Sequence, residues 1–245
     1  CLASAQPRLH VAALALCVEA KSPALPLGAD EAYGVRRFLA ESLALPSAVA
    51  RQDTLAYLVK LLVRLRTSAK NGPSDALLRD LYEAVVRAIH PGAPYPRAVL
   101  GVSLLLLLVE ATAARRAPER VYAGSALHEA IRALHKAQQT FPAAPLPPLR
   151  PSLAVVRRLV HLAAESTYDD IRSTAALALV RLADDEASVL RDPTFLLQHV
   201  VRPSVERLAA PKEAEAHAAV QLLRLYHSVA APAMHGQVLE CIAPV

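Results

Sequence analysis

The stretch that says most about the fold is DDIRSTAALAL, residues Asp169–Leu179. Within it Ile171, Ala175 and Leu179 recur every fourth position, and Leu182 extends the series, as expected for the buried face of an α-helix. The two acidic residues at its start suit a helix N-terminus, where the helix dipole favours negative charge. The order of acidic, β-branched, arginine and then small or aliphatic residues is typical of the inner helix of a HEAT-type repeat.

Helical periodicity extends through most of the chain. Hydrophobic residues make up 54% of the 245 positions. Most of them are Ala, Leu and Val, and the first two are strong helix formers. Strand-rich folds usually carry more aromatic residues, Thr and Ile. Prolines separate the apolar segments at positions where helices begin or end. We therefore predict an all-α chain, with helices near 2–20, 30–44, 47–69, 74–90, 96–113, 124–140, 151–164, 168–183, 193–209 and 212–230.

The spacing of arginines near predicted helix starts indicates a repeat. Arg51 and Arg97 lie 46 positions apart, which falls within the period of about 40–47 residues of HEAT and armadillo repeats. From Arg97 to Arg172 the distance is 75 positions, so the array is irregular or contains an insertion. We predict a HEAT/armadillo-like helical-repeat solenoid.

A proline-rich segment divides the chain. Residues 141–151 contain five prolines, which remove backbone donors and fix φ, so the middle of this segment cannot be helical. We predict basic helical repeats over 1–140, a Pro-rich connection over 141–150, and acidic helical repeats over 151–245. Residues 36–70 hold seven Lys or Arg against Glu41 and Asp53, whereas residues from 159 onward hold seven basic and eleven acidic residues.

One segment is apolar almost all round. The run Val99–Val109 spans 11 residues, well short of the roughly 20 that cross a bilayer. A helix without a polar face must be covered on several sides. We therefore predict a helix buried inside the protein and no membrane partner.

The sequence contains no recognisable catalytic or metal-binding pattern. Glycine-rich phosphate loops, GxSxG, HExxH and paired-cysteine zinc spacings are all missing. His161 with Glu165, and His217 with Glu213, are single histidine–acid pairs, too few ligands for a metal site. We predict no catalytic residue, cofactor, metal or small-molecule substrate. Three cysteines without CxxC spacing favour a reducing, cytoplasmic compartment.

The basic stretch supplies the candidate binding residues. A cluster of positive charge can attract a polyanion such as RNA, although it can also be a solvated helix face. The candidate residues for binding RNA or another partner are Arg51, Lys60, Arg64, Arg66 and Arg97.

A resemblance to a known family involves the same region. The segment Pro91-Gly92-Ala93-Pro94-Tyr95-Pro96-Arg97, followed by the leucine-rich run 104–108, resembles the PG-x-x-Y-x-R element of the thyroid-adenoma-associated (THADA) family. The upstream stretch 35–68 and the downstream stretch 168–182 resemble the family's flanking helices. The chain lacks the family's RRSAGL motif, and we place it just before the family's central domain.

The resemblance implies a function. Family members are large helical-repeat proteins that act as non-catalytic regulatory partners of a methyltransferase that modifies the 2′-O-ribose of the tRNA anticodon loop. By resemblance, the expected partners are the catalytic subunit of that methyltransferase and tRNA. The alternative hypothesis is a generic HEAT/armadillo protein–protein adaptor without RNA binding, since solenoids offer extended surfaces to partners.

Overall fold

The computed structural model describes residues 7–19, 25–41, 43, 45–67, 73–90, 92–113, 126–140, 146–185, 187–209 and 212–230. All regular secondary structure within these ranges is helical, which confirms the predicted all-α class. Each helix predicted from the sequence corresponds to a helical segment of the structure. Contacts between Cα atoms divide the chain into two units, residues 1–149 and 150–245. This division lies at the end of the predicted Pro-rich connection, of which residues 141–145 fall outside the described ranges.

The first unit contains six helices within its described residues. Their bounds are α1 Pro7–Val18, α2 Ala29–Glu41, α3 Ala48–Thr67, α4 Pro73–Ala88, α5 Tyr95–Thr112 and α6 Ala126–Thr140. Helix α1 packs against α2 and α3, and α2 packs against α4. Helix α3 also contacts α5 and α6, while α4 packs along α5. The most extensive of these contacts joins α3 and α6, which are three helices apart in the chain, while α1 with α2 and α4 with α5 pack as sequential neighbours.

Helix α5 forms the centre of the apolar core in this unit. Every residue from Leu100 to Thr112 is buried, which confirms the prediction of a helix covered on several sides. By length and composition alone α5 could cross a membrane, and 78% of it is buried within the fold. Gly101 allows α5 to approach α4 closely, since an added Cβ would lie 2.7 Å from the Cβ of Ala88.

The second unit is built around a helical hairpin. Its bounds are α7 Leu153–Glu165 and α8 Asp169–Leu182, and the two helices pack along each other. The predicted apolar stripe of α8 is buried throughout, including Ile171, Ala175, Leu179 and Leu182. Helix α11, Glu213–Val229, packs against both helices of the hairpin.

The region predicted as one helix over 193–209 is interrupted. It consists of α9 Pro193–Leu196, a π-helical segment Leu197–Val201 and α10 Arg202–Leu208. Pro203 has no N–H to donate to the carbonyl of His199, so one α-helical hydrogen bond is lost. The N–H of Arg202 donates to the carbonyl of Leu197, five residues back, which is the spacing of a π-turn. A kink near Pro203 is expected from the sequence, but the π-segment is not.

Candidate partner-binding surface

Of the five candidate residues, Arg64 lies inside the protein. Its side chain is only 3% exposed. The guanidinium pairs with both carboxylate oxygens of Glu31, at 3.2 Å from Nη1 to Oε1 and 2.8 Å from Nη2 to Oε2. The prediction that Arg64 lies on a binding face is therefore wrong, because its positive charge is used within the fold.

Arg64 joins three segments of the first unit. Besides Glu31 on α2, it donates to the carbonyls of Cys17 and Val18 at the end of α1. It also donates to the carbonyls of Leu25 and Pro26 in the following loop. The last carbonyls of a helix have no partner within that helix, so a buried guanidinium satisfies groups that would otherwise be unpaired.

Glu31 has a second role at the start of α2. Its Oε2 accepts a hydrogen bond from the N–H of Gly28 at 2.7 Å, one half of a capping box. The hydrogen bond from Arg64 lowers the pKa of Glu31, against the opposing effect of burial, and the bond from Gly28 lowers it further. The carboxylate of Glu31 is therefore ionised at neutral pH.

Lys60 is on the surface, but its charge is compensated. Its Nζ lies 2.5 Å from Oε1 of Glu19, and about half of each side chain is exposed. The ammonium also lies 5.0 Å from the centre of the Tyr57 ring. Arg66 is half-buried, and its Nε atom is enclosed by the fold.

The predicted basic stretch 36–70 is therefore not one positive face. Arg36 pairs with Asp80 of α4, and Arg37 pairs with Glu41 one turn along α2. Together with Lys60 and Arg64, four of its seven basic residues have a carboxylate partner. Lys70 lies outside the described residues.

The remaining two candidates, Arg51 and Arg97, lie at the starts of α3 and α5. Arg51 donates from Nη1 to the carbonyls of Leu45 and Pro46, at 2.9 and 2.8 Å. Its Cζ lies 5.8 Å from the centre of the Tyr95 ring, and Arg97 is two residues further along the chain. All three side chains are half-buried. We call Arg51, Tyr95 and Arg97 the Arg51–Arg97 surface.

The electrostatics of this surface are unusual for a helix start. Neither α3 nor α5 has an acidic residue in its first turn. The helix dipole places partial positive charge at both N-termini, where a carboxylate is stabilising and a cation is not. Neither Arg51 nor Arg97 forms an ion pair within the described ranges. Each of these two helix starts therefore carries a guanidinium without a counter-ion from the described part of the protein.

This arrangement suits an anionic partner. Guanidinium groups form paired hydrogen bonds to phosphate or carboxylate oxygens, and an aromatic ring beside them offers a stacking surface for a base. No group of three His, Cys, Asp or Glu side chains arranged to hold a metal occurs in the described part of the chain.

Sequence reasoning missed two features of this region. Tyr95 is part of the PG-x-x-Y-x-R element, yet its contact with Arg51 requires α3 and α5 to lie side by side. Arg64 lies inside the apolar run LLVRL at 61–65. An arginine flanked by apolar residues on both sides is a signal of burial, and helical periodicity alone did not reveal it.

In comparisons with known proteins, no family model, curated protein or solved structure matches this chain.

Proposed function

We propose that the chain is a non-catalytic helical-repeat scaffold that presents the Arg51–Arg97 surface to RNA. The observation that carries this proposal is the Arg51 guanidinium, which lies 5.8 Å from the centre of the Tyr95 ring and has no carboxylate partner among the described residues. Arg97, at the start of the neighbouring helix α5, also has no carboxylate partner within the described ranges. A positive site with an aromatic ring is a common arrangement for contacting a nucleic-acid backbone and its bases.

The repeat architecture is supported by a shared feature of α3 and α8. Arg51 is the fourth residue of α3 and donates to the carbonyl of Leu45, six residues earlier. Arg172 is the fourth residue of α8 and donates to the carbonyl of Ser166, also six residues earlier, at 2.6 Å. The same side chain in the same helical position closes the preceding loop in both units. We propose that these are equivalent positions of a HEAT/armadillo-like solenoid.

The identity of the partners comes from the resemblance to the thyroid-adenoma-associated family. Two residues of the Arg51–Arg97 surface, Tyr95 and Arg97, belong to the PG-x-x-Y-x-R element that carries the resemblance. We propose a cytoplasmic regulatory partner of a methyltransferase acting on the 2′-O-ribose of the tRNA anticodon loop. Co-purification of the full chain with such a catalytic subunit tests this part. Failure to associate, with or without tRNA, would contradict it.

RNA binding is tested by neutralising the two arginines. We expect the full chain to bind tRNA with an affinity that falls as salt rises. In Arg51→Gln/Arg97→Gln, the slope of log K against log salt should decrease by roughly 1.4–1.8, since each lost phosphate contact accounts for about 0.7–0.9. Fluorescence anisotropy with labelled tRNA over a salt series measures this slope.

A matched control is Arg37→Gln/Arg87→Gln, which removes the same charge from exposed pairs on α2 and α4. It should leave the slope nearly unchanged, and circular dichroism shows whether both double variants remain helical. If the slope of log K against log salt fell equally in both double variants, tRNA binding would depend on net charge and not on the Arg51–Arg97 surface. Absence of tRNA binding at physiological salt would favour the protein–protein adaptor, for which the many internal ion pairs of residues 36–70 are a supporting observation.

A further inference from the structure

The second unit contains a cleft that the proposed RNA-binding surface does not involve. Its volume is about 190 Å³, and it lies between α7, the π-segment with the start of α10, and α11. Val160, Ala164 and Leu222 form its floor and are almost completely buried, at 5%, 3% and 2% exposure. The floor is therefore apolar, while charged residues stand at the rim.

The π-segment places a histidine at this rim. The ring of His199 stacks obliquely on Phe195, with 4.8 Å between ring centres. Its Nε2 lies 3.0 Å from Nη2 of Arg157 on α7. Burial lowers the pKa of His199, and the neighbouring charge of Arg157 lowers it further, so the ring is neutral at pH 7 and Nε2 accepts the hydrogen bond. The hydrogen bond to His199 therefore positions the Arg157 guanidinium at the cleft and leaves its positive charge uncompensated.

The other charges at the rim are balanced. Arg207 pairs with Glu165 of α7 and, at 3.3 Å, with Glu215 of α11. His161 shares the Glu165 carboxylate, at 3.1 Å from Nδ1. Arg157, by contrast, forms no ion pair among the described residues of this unit. A guanidinium has five N–H donors, and the neutral His199 occupies one of them.

We infer that this cleft binds a short segment of a partner protein in which an aliphatic side chain adjoins a carboxylate. The aliphatic group covers the floor of Val160, Ala164 and Leu222, and the carboxylate pairs with Arg157. The carboxylate is inferred from charge complementarity, because among the described residues at the rim Arg157 is the arginine without a counter-ion. A polyphosphate chain fits less well, since it would gain nothing from the apolar floor and would approach Glu165.

The test is an NMR titration of the full chain with a short capped peptide. Leu is the one apolar residue of the peptide, and the adjacent Glu is its one charged residue. We expect saturable shifts of backbone signals in α7, the π-segment and α11, with a Kd on the order of 1 mM for so short a ligand. Replacing Glu by Gln in the peptide should weaken binding about tenfold or more. Replacing Leu by Ser should weaken it about threefold, because the accessible apolar area of the cleft is small.

Protein variants separate the site from general charge effects. Arg157→Gln should weaken the peptide about tenfold or more, and Arg157→Lys should retain part of the affinity because it keeps the charge. Arg224→Gln, an exposed arginine of α11 outside the cleft lining, is the control of equal charge change and should bind normally.

Three results would overturn the inference. They are absence of shifts at millimolar peptide, equal binding of the Gln-containing peptide, and equal loss in Arg157→Gln and Arg224→Gln. Displacement of the peptide by inorganic phosphate or tRNA at lower concentration would instead identify a phosphate site. The three overturning results do not depend on the tRNA-binding experiment, because the peptide and the Arg157 variants involve residues of a different unit.

Discussion

The two ends of α3 use arginine in opposite ways. At the start, Arg51 is partly exposed, has no ion-pair partner in the described ranges and lies beside the Tyr95 ring. Towards the end, Arg64 is 3% exposed and is bound by a carboxylate and four backbone carbonyls. A basic residue in a helical pattern therefore indicates a binding surface only when its charge has no partner within the fold.

The largest effect should come from Arg64→Ala. Removing the guanidinium leaves Glu31 and several carbonyls without their partner, and breaking a buried ion pair costs about 3–5 kcal/mol. Urea unfolding of the full chain, followed by circular dichroism, measures the loss. A change below about 1 kcal/mol would mean that the two ends of α3 are energetically alike.

A smaller effect, dependent on pH, should follow from Glu31→Gln. Because the pKa of Glu31 is lowered in the folded state, its ionised form stabilises the protein above the ordinary pKa of a glutamate. This contribution is lost as the pH falls through the lowered value. We expect Glu31→Gln to cost about 1–3 kcal/mol near pH 7, and the difference from wild type to shrink under acid conditions. A difference that does not vary with pH would exclude this ion pair as its source.

The smallest effects should be at the exposed positions. Arg51→Ala removes two hydrogen bonds to carbonyls and the contact with Tyr95, and should cost about 1 kcal/mol. Lys60→Ala, which breaks a half-exposed pair with Glu19, should cost about 0–1 kcal/mol. The same unfolding assay ranks both. A loss at Arg51 as large as that at Arg64 would make it a structural residue and weaken its assignment to RNA.

The helices could be predicted because their signals are local. The stripe of α8 and the uniform apolarity of 99–109 need no knowledge of neighbouring helices, and proline marks the ends. Whether an individual arginine is buried or exposed could not be predicted, because the partner of Arg64 lies 33 positions away on α2. Lys60 and Arg64 are four positions apart, the spacing of residues on one helix face. The structure nevertheless places Arg64 in the interior, where the carbonyls at the end of α1 accept its hydrogen bonds.

The π-segment shows a second limit of sequence reasoning. Pro203 predicts a disturbance of the helix, but several outcomes satisfy the lost hydrogen bond, including a kink, a break or a widened turn. The widened turn brings His199 to Arg157, a residue 42 positions earlier. Which outcome occurs depends on packing against α7 and α11, and this information is not local to residues 193–209.

The burial of α5 has a consequence for biosynthesis. Helix α6 is made after α5, so the leucine-rich face that it covers stays open to water while the following residues are still being translated. Exposed apolar surface promotes association of incomplete chains. Premature termination just beyond Thr112 would therefore yield a product that aggregates or is held by chaperones, even though every residue of α5 itself is intact.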